Sequence, residues 1–117
     1  MPARRPETVA RNAHQRIARI RDALAGIDRL CSGTLQERMK LCGRPGCACA
    51  RDPAARHGPY YEWGFMRGGK LMHRQVSAEH AAALREAIAN YRKVRALLRD
   101  WEIETERLID AELLTQR

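Results

Sequence analysis

Three cysteines and a histidine crowd one stretch of a chain that has only four cysteines in all. Cys42, Cys47, Cys49 and His57 follow a C-x4-C-x-C-x7-H spacing. Three thiolates and one imidazole are a standard tetrahedral set for structural Zn2+, and four protein ligands leave no open position for water or substrate. Gly43-Arg44-Pro45-Gly46 is turn chemistry, suited to bringing Cys47 back beside Cys42. Backbone N–H groups in that turn could donate to sulfur, and Arg44 adds positive charge. Residues 50–56 then carry the chain round to His57, and Gly58-Pro59 stiffens the exit. The spacing departs from the common C-x2-C knuckle, so it points to a metal site without naming a finger type. The fourth ligand stays open at this level: His57 is near in sequence, and His73 is its competitor. Reduced or redox-active thiols are the alternative chemistry.

Other catalytic patterns are missing. The chain has no GxxxxGK phosphate loop, no GxSxG and no HExxH, so we expect no enzyme. Glu62 is the one acid among strand aromatics, placed either to orient a ligand histidine or to pair with Arg74. The clearer surface chemistry is basic. Arg67, Lys70 and Arg74, with Arg44, Arg51 and Arg56, are expected to form a basic face beside Tyr60, Tyr61 and Trp63. Such side chains contact phosphates, and exposed rings stack on unpaired bases. A β-ribbon can also lie in a DNA groove. At least two of the aromatics are expected in a small core instead. The net charge of +8 is uneven: residues 1–76 carry +9 and residues 77–117 carry −1. That asymmetry points to an anionic partner on one side, DNA before RNA.

These residues must be positioned by helices. An apolar stripe runs Val9, Ala13, Ile17, Ile20, Leu24, Ile27, Cys31, the spacing of one helix face, which predicts a helix over 7–32 behind a short basic arm at residues 1–6. Pro6 suits its first turn, Gly33 is read as its left-handed cap, and Cys31 is read as a stripe residue. Residues 33–76 are expected to form a zinc-stapled, three-stranded antiparallel ribbon. Its strands are Thr34–Leu41, Tyr60–Phe65 and Leu71–Val76, with Gly68-Gly69 as the hairpin signal. Ser77 is a natural N-cap for a long helix over 77–115, whose stripe is Leu84, Ile88, Tyr91, Val94, Leu98, Trp101, Thr105, Leu108. About forty helical residues would span roughly 60 Å. Either the helix breaks near Arg99-Asp100 or its distal half packs on a partner, which predicts homo-oligomers through helices, antiparallel or coiled. The whole is expected to be one α+β domain, mainly α, over 1–117. No apolar run spans a membrane. No secretory signal is seen, so a reducing cytoplasm is expected, where metal binding is favoured over disulfides.

The run GTLQERMKLCGRPGCAC, then HGPYYEW, then RGGK, resembles an uncharacterised prokaryotic family. Its pattern is roughly Gly-Ser-Leu, Cys-Gly-Lys-Pro-x-Cys-x-Cys, His-Gly-Pro-Tyr and Gly-Gly-Lys, followed by a helical tail. The resemblance covers about Gly33 to Tyr91, leaving the N-terminal helix outside. It implies Cys42, Cys47, Cys49 and His57 as the core of the motif, accompanied by Tyr60 and Lys70. Arg44 stands where the family has Lys, and Thr34 where it has Ser. Members are small proteins often encoded near mobile elements with no agreed function, so the resemblance implies a site and almost no mechanism. Joined with the basic face, it leads us to expect an accessory or regulatory nucleic-acid-binding role. The rival expectation is a dimerising helical adaptor in which zinc only holds the fold.

Overall fold

The computed structural model describes residues 5–115, so most of the expected basic arm lies outside it. The fold is α+β. Helix α1 (Pro6–Ala25) is followed by β1 (Thr34–Lys40) and by short 3-10 turns at Ala48–Ala50 and Pro53–Ala55. Strands β2 (His57–Arg67) and β3 (Lys70–Val76) come next, then the long helix α2 (Ala78–Thr115). The strands form one antiparallel sheet in the order β1-β2-β3. The chain gathers into two compact units, one of residues 29–89, the other of the segments up to residue 28 and from residue 90 onward.

In the first unit, alternation along β2 decides what is covered. Trp63 and Phe65 project to one face with stacked rings 4.0 Å apart, and Val76 of β3 joins them. The first turns of α2 lay Ala81, Leu84 and Ile88 over this patch, with Cys31, Leu35 and Tyr61 at its margin. The buried indole is satisfied because Trp63 Nε1 donates to the Ser32 carbonyl at 3.0 Å. Ser77 caps α2 as expected, its hydroxyl accepting from the His80 N–H at 3.0 Å. Gly68 and Gly69 turn the β2–β3 hairpin with φ of 59° and 78°, the left-handed pair that a two-residue turn demands.

The expected helix over 7–32 stops at Ala25. The N–H groups of Gly26 and Ile27 close the last turn onto Ala23 and Leu24, the tightened bonds that end a helix. From Arg29 the chain joins the unit of the sheet and the first turns of α2: the Cys31 N–H donates to the Ala87 carbonyl of α2 at 3.2 Å. Gly33 is therefore not a helix cap. Its φ is 109°, and a Cβ there would overlap the Gly64 carbonyl oxygen and lie 2.8 Å from Trp63 Nε1. It is glycine because β2 passes directly against its backbone.

In the second unit, α1 accompanies the distal part of α2. Helix α2 does not break near Arg99-Asp100; it runs 38 residues without interruption. Ala13, Ile20 and Ala111 are buried. Glu104 is buried as well, paired with Arg16 of α1 at 3.5 Å and with Arg107 at 2.6 Å. Leu98, Ile103, Ile109, Leu113 and Leu114 remain exposed. No helix among the described residues is long and apolar enough to cross a membrane.

Replacing Gly33 by alanine forces both the left-handed strain and the clash with β2. We expect Gly33→Ala to lower unfolding free energy by about 2–4 kcal/mol, read from urea denaturation. An unchanged midpoint would mean that β2 does not press on Gly33.

Candidate metal centre

The segment between β1 and β2 returns on itself. Gly43 and Gly46 take φ of 72° and 78°, and the Cys47 N–H donates to the Arg44 carbonyl at 3.3 Å, closing the turn. Cys47 leads into the 3-10 turn that carries Cys49. Asp52 then accepts from the Ala54 N–H at 3.0 Å, and Pro53 sets the second short turn. This brings His57 back as the first residue of β2, beside the end of β1, with Lys40 as its register partner.

The ligand atoms of Cys42, Cys47, Cys49 and His57 consequently lie within 4.8 Å of one another, a group able to hold a metal ion. Cys42 Sγ is 3.5 Å from Cys49 Sγ, and Cys47 Sγ is 3.4 Å from His57 Nε2. All four cysteines are free. The Arg44 N–H points to Cys42 Sγ and the Cys42 N–H to Cys49 Sγ, each at 3.5 Å, the donor pattern that lowers charge on sulfur. Cys49 is buried, Cys47 partly so, and Cys42 and His57 are exposed.

The thiols are not alike. The Cys49 N–H first, then His57 and the other two thiols, hold Cys47 down to about 6. At Cys49 the Cys42 N–H pulls the same way, but burial and the neighbouring thiols outweigh it, and the thiol sits above its ordinary value.

His73 is not part of the group. Its Nδ1 lies 3.1 Å from Glu62 Oε1 on the sheet, so Glu62 pairs with His73 rather than with Arg74 or a ligand. The two residues stand across β2 and β3 on the face opposite Trp63, beside Gly64. Alternation makes this pairing readable, because Glu62 and Gly64 share a face and Gly64 is opposite His73.

A family model described as Domain of unknown function (DUF6788) matches residues 11–86. The chain belongs to this family. The DUF6788 match includes the whole cysteine–histidine group and the sheet. It also begins inside α1, whereas the motif resemblance begins only at Gly33. Neither the curated proteins nor the solved structures contain a match.

The expected basic and aromatic face is divided. Trp63 is core and unavailable for stacking on a base. Tyr61 is half-buried against the same core, with the Arg85 guanidinium 5.4 Å from its ring. Tyr60 projects to the other face, under Lys40 at 5.2 Å, a neighbour that the sequence pattern did not reveal. Arg44, Arg51 and Arg56 are exposed on the loop that carries the ligands. Arg67 and Lys70 flank the hairpin turn, with Arg67 4.9 Å from the Phe65 ring, and Arg74 is opposite Trp63. The loop and the turn stand at opposite ends of β2, 11 residues long, so about 33 Å separates them at about 3.3 Å per residue.

Elemental analysis of native protein should find about one metal ion per chain. Cys49→Ala should lose it and disorder residues 42–57, while Cys31→Ala, outside the group, should keep it. Full retention in Cys49→Ala would remove the site.

Proposed function

We propose that the chain is a zinc-stabilised nucleic-acid-binding protein, in which the ion fixes the loop at residues 42–57 and the loop's arginines contact phosphates. The observation that carries this reading is the four-ligand group itself. Zinc–sulfur bonds of about 2.3 Å and zinc–nitrogen bonds of about 2.0–2.1 Å in a tetrahedron require S···S near ~3.8 Å and S···N near ~3.6 Å. The observed 3.5 Å and 3.4 Å are close to both edges. When bound, such an ion supplies structure, not a reactive water, because all its positions are taken by protein. We read the protein as a binder and not an enzyme for that reason.

The ligand-bearing loop presents Arg44, Arg51 and Arg56 to solvent, and the hairpin turn presents Arg67 and Lys70. The ends of β2 that carry them are about 33 Å apart along the strand, near one turn of duplex DNA, about 34 Å, which favours DNA over RNA as partner. The resemblance to proteins encoded beside mobile elements supports an accessory or regulatory role there, in a reducing cytoplasm. A second reading rests on the exposed apolar residues of α2: a helical adaptor in which zinc is structural only.

Duplex DNA binding measured against salt separates the two. We expect affinity to fall steeply as salt rises. Arg44→Gln/Arg51→Gln/Arg56→Gln should reduce the log–log slope by roughly 0.9 for each phosphate that is no longer neutralised. Affinity indifferent to salt, or no binding by zinc-loaded protein at low salt, would reject the nucleic-acid reading.

A further inference from the structure

We infer that α2 carries a self-association seam, through which residues 91–110 of two copies pack antiparallel about a two-fold axis near Glu102. The inference is independent of the nucleic-acid reading and rests on the distal unit alone.

The first observation is the shape of the helix surface. Tyr91, Leu98 and Thr105 recur every seven residues, as do Arg95, Glu102 and Ile109, so both sets follow the line of a coiled-coil seam. Two open hollows lie along it. One is bounded by Arg95, Leu98, Arg99 and Glu102. The next, of about 400 Å³, is bounded by Leu98, Trp101, Glu102 and Thr105. Each quartet has the i, i+3, i+4, i+7 spacing of the hole that receives one knob from a facing helix. Leu98 is 46% exposed and Ile109 50%, so the seam has apolar knobs with nothing to enter. Helix α1 does not fill it. Arg16 of α1 takes Glu104, which lies on a different side of α2.

The second observation is the order of charge, which fixes both occupant and direction. Residues 92–99 hold Arg92, Lys93, Arg95 and Arg99 and no acid. Residues 100–110 hold five acids against Arg107. This order opposes the helix dipole, which favours acids at the N-terminal end and bases at the C-terminal end; the last turn of α2 has no base. A parallel pair would set like against like. An antiparallel pair sets the basic block of each copy on the acidic block of the other. An axis near Glu102 brings Leu98 over Thr105 of the second copy and Arg95 over Ile109. It also sets the two Glu102 side chains together at the axis, where Arg95 and Arg99 of each copy border the same hollow. On the flank of the seam, Arg92 meets Asp110 and Arg99 meets Glu106. All four flanking residues are exposed in the single chain. A second copy of this chain is therefore the partner that the helix fits.

The test is a charge-swap experiment on full-length, metal-loaded protein, with mass read by sedimentation at tens of micromolar. Wild type should sediment at twice the 13.4 kDa chain mass. Arg92→Glu/Arg99→Glu should raise the dissociation constant by on the order of a hundredfold, as should Glu106→Arg/Asp110→Arg, because each sets like charges together at four places. Mixing the two variants restores all four opposite-charge pairs and should return the dimer mass. Leu98→Lys, altering the seam and not its flank, should also give monomer, and circular dichroism checks that every variant keeps its helix. Monomeric wild type, dimers that survive both reversals, or a mixture that stays monomeric would each overturn the proposal.

Discussion

The gathering of Cys42, Cys47, Cys49 and His57 is the constraint on which the β-ribbon depends. In the segment 41–56, Cys49 is the one buried residue, so apolar burial cannot hold this loop in a single form. Strand β1 is little better covered, with Leu35 alone half-buried. A three-stranded sheet of this size is marginal unless something beyond its own ladders restrains it. The core under α2 restrains one end of the sheet, at Trp63, Phe65 and Val76. A metal held by the ligand group would restrain the other, because it would tie the end of β1 through Cys42 to the start of β2 at His57. The register of the two strands shifts between Arg38 and Lys40, just before that tie. Without the tie, three thiols would share a small volume in which Cys47 ionises readily and Cys49 resists doing so.

Much of this was legible because local chemistry and tertiary structure agree. The Gly68-Gly69 hairpin, the Ser77 cap, the three strands and the four-ligand group each rest on short-range spacing, and each is where the spacing puts it, except that β2, expected over Tyr60–Phe65, runs from His57 to Arg67. The errors lie where a long-range contact overrides a local pattern. Ile27 and Cys31 continue the stripe of α1, yet residues 29–32 belong with the sheet and the start of α2: Ser32 takes the Trp63 indole N–H and Cys31 bonds to Ala87 of α2. Gly33 reads as a cap because glycine often is one. Its actual reason, the backbone of β2 passing against it, is 31 residues away in sequence at Gly64. His73 competes with His57 only until alternation places it on the far face beside Glu62.

Glu104 shows the same limit from the other side. An acid between Ile103 and Thr105 on a charged helix looks like solvated surface. Its burial follows from α1, which brings Arg16 to it while Arg107 supplies the second partner. Breaking such a pair leaves an uncompensated buried charge, whereas replacing all of it by apolar groups can be neutral. The arrangement therefore specifies how α1 and α2 meet more than it strengthens them. The buried apolar set here, Ala13, Ile20 and Ala111, is small enough to need that specification.

Alternation also limits what the ribbon can offer a partner. A strand cannot present adjacent residues to the same surface, so Tyr60 and Tyr61 are committed to opposite faces, and Trp63 follows Tyr61 into the core. What remains exposed at the two ends of β2 is charge beside the apolar side chains of Met39, Met66, Leu71 and Met72. Those charges differ in how they are held. Arg67 and Lys70 are fixed by the hairpin ladder whatever the state of the cysteines. Arg44, Arg51 and Arg56 are fixed only as well as the loop around Cys42, Cys47 and Cys49 is fixed, since no buried apolar side chain other than Cys49 anchors it. An ordered set of loop arginines loses less conformational entropy on meeting phosphate than a free one. On the proposed nucleic-acid reading, metal occupancy would thus act on binding through order, with no contact between the ion and the nucleic acid.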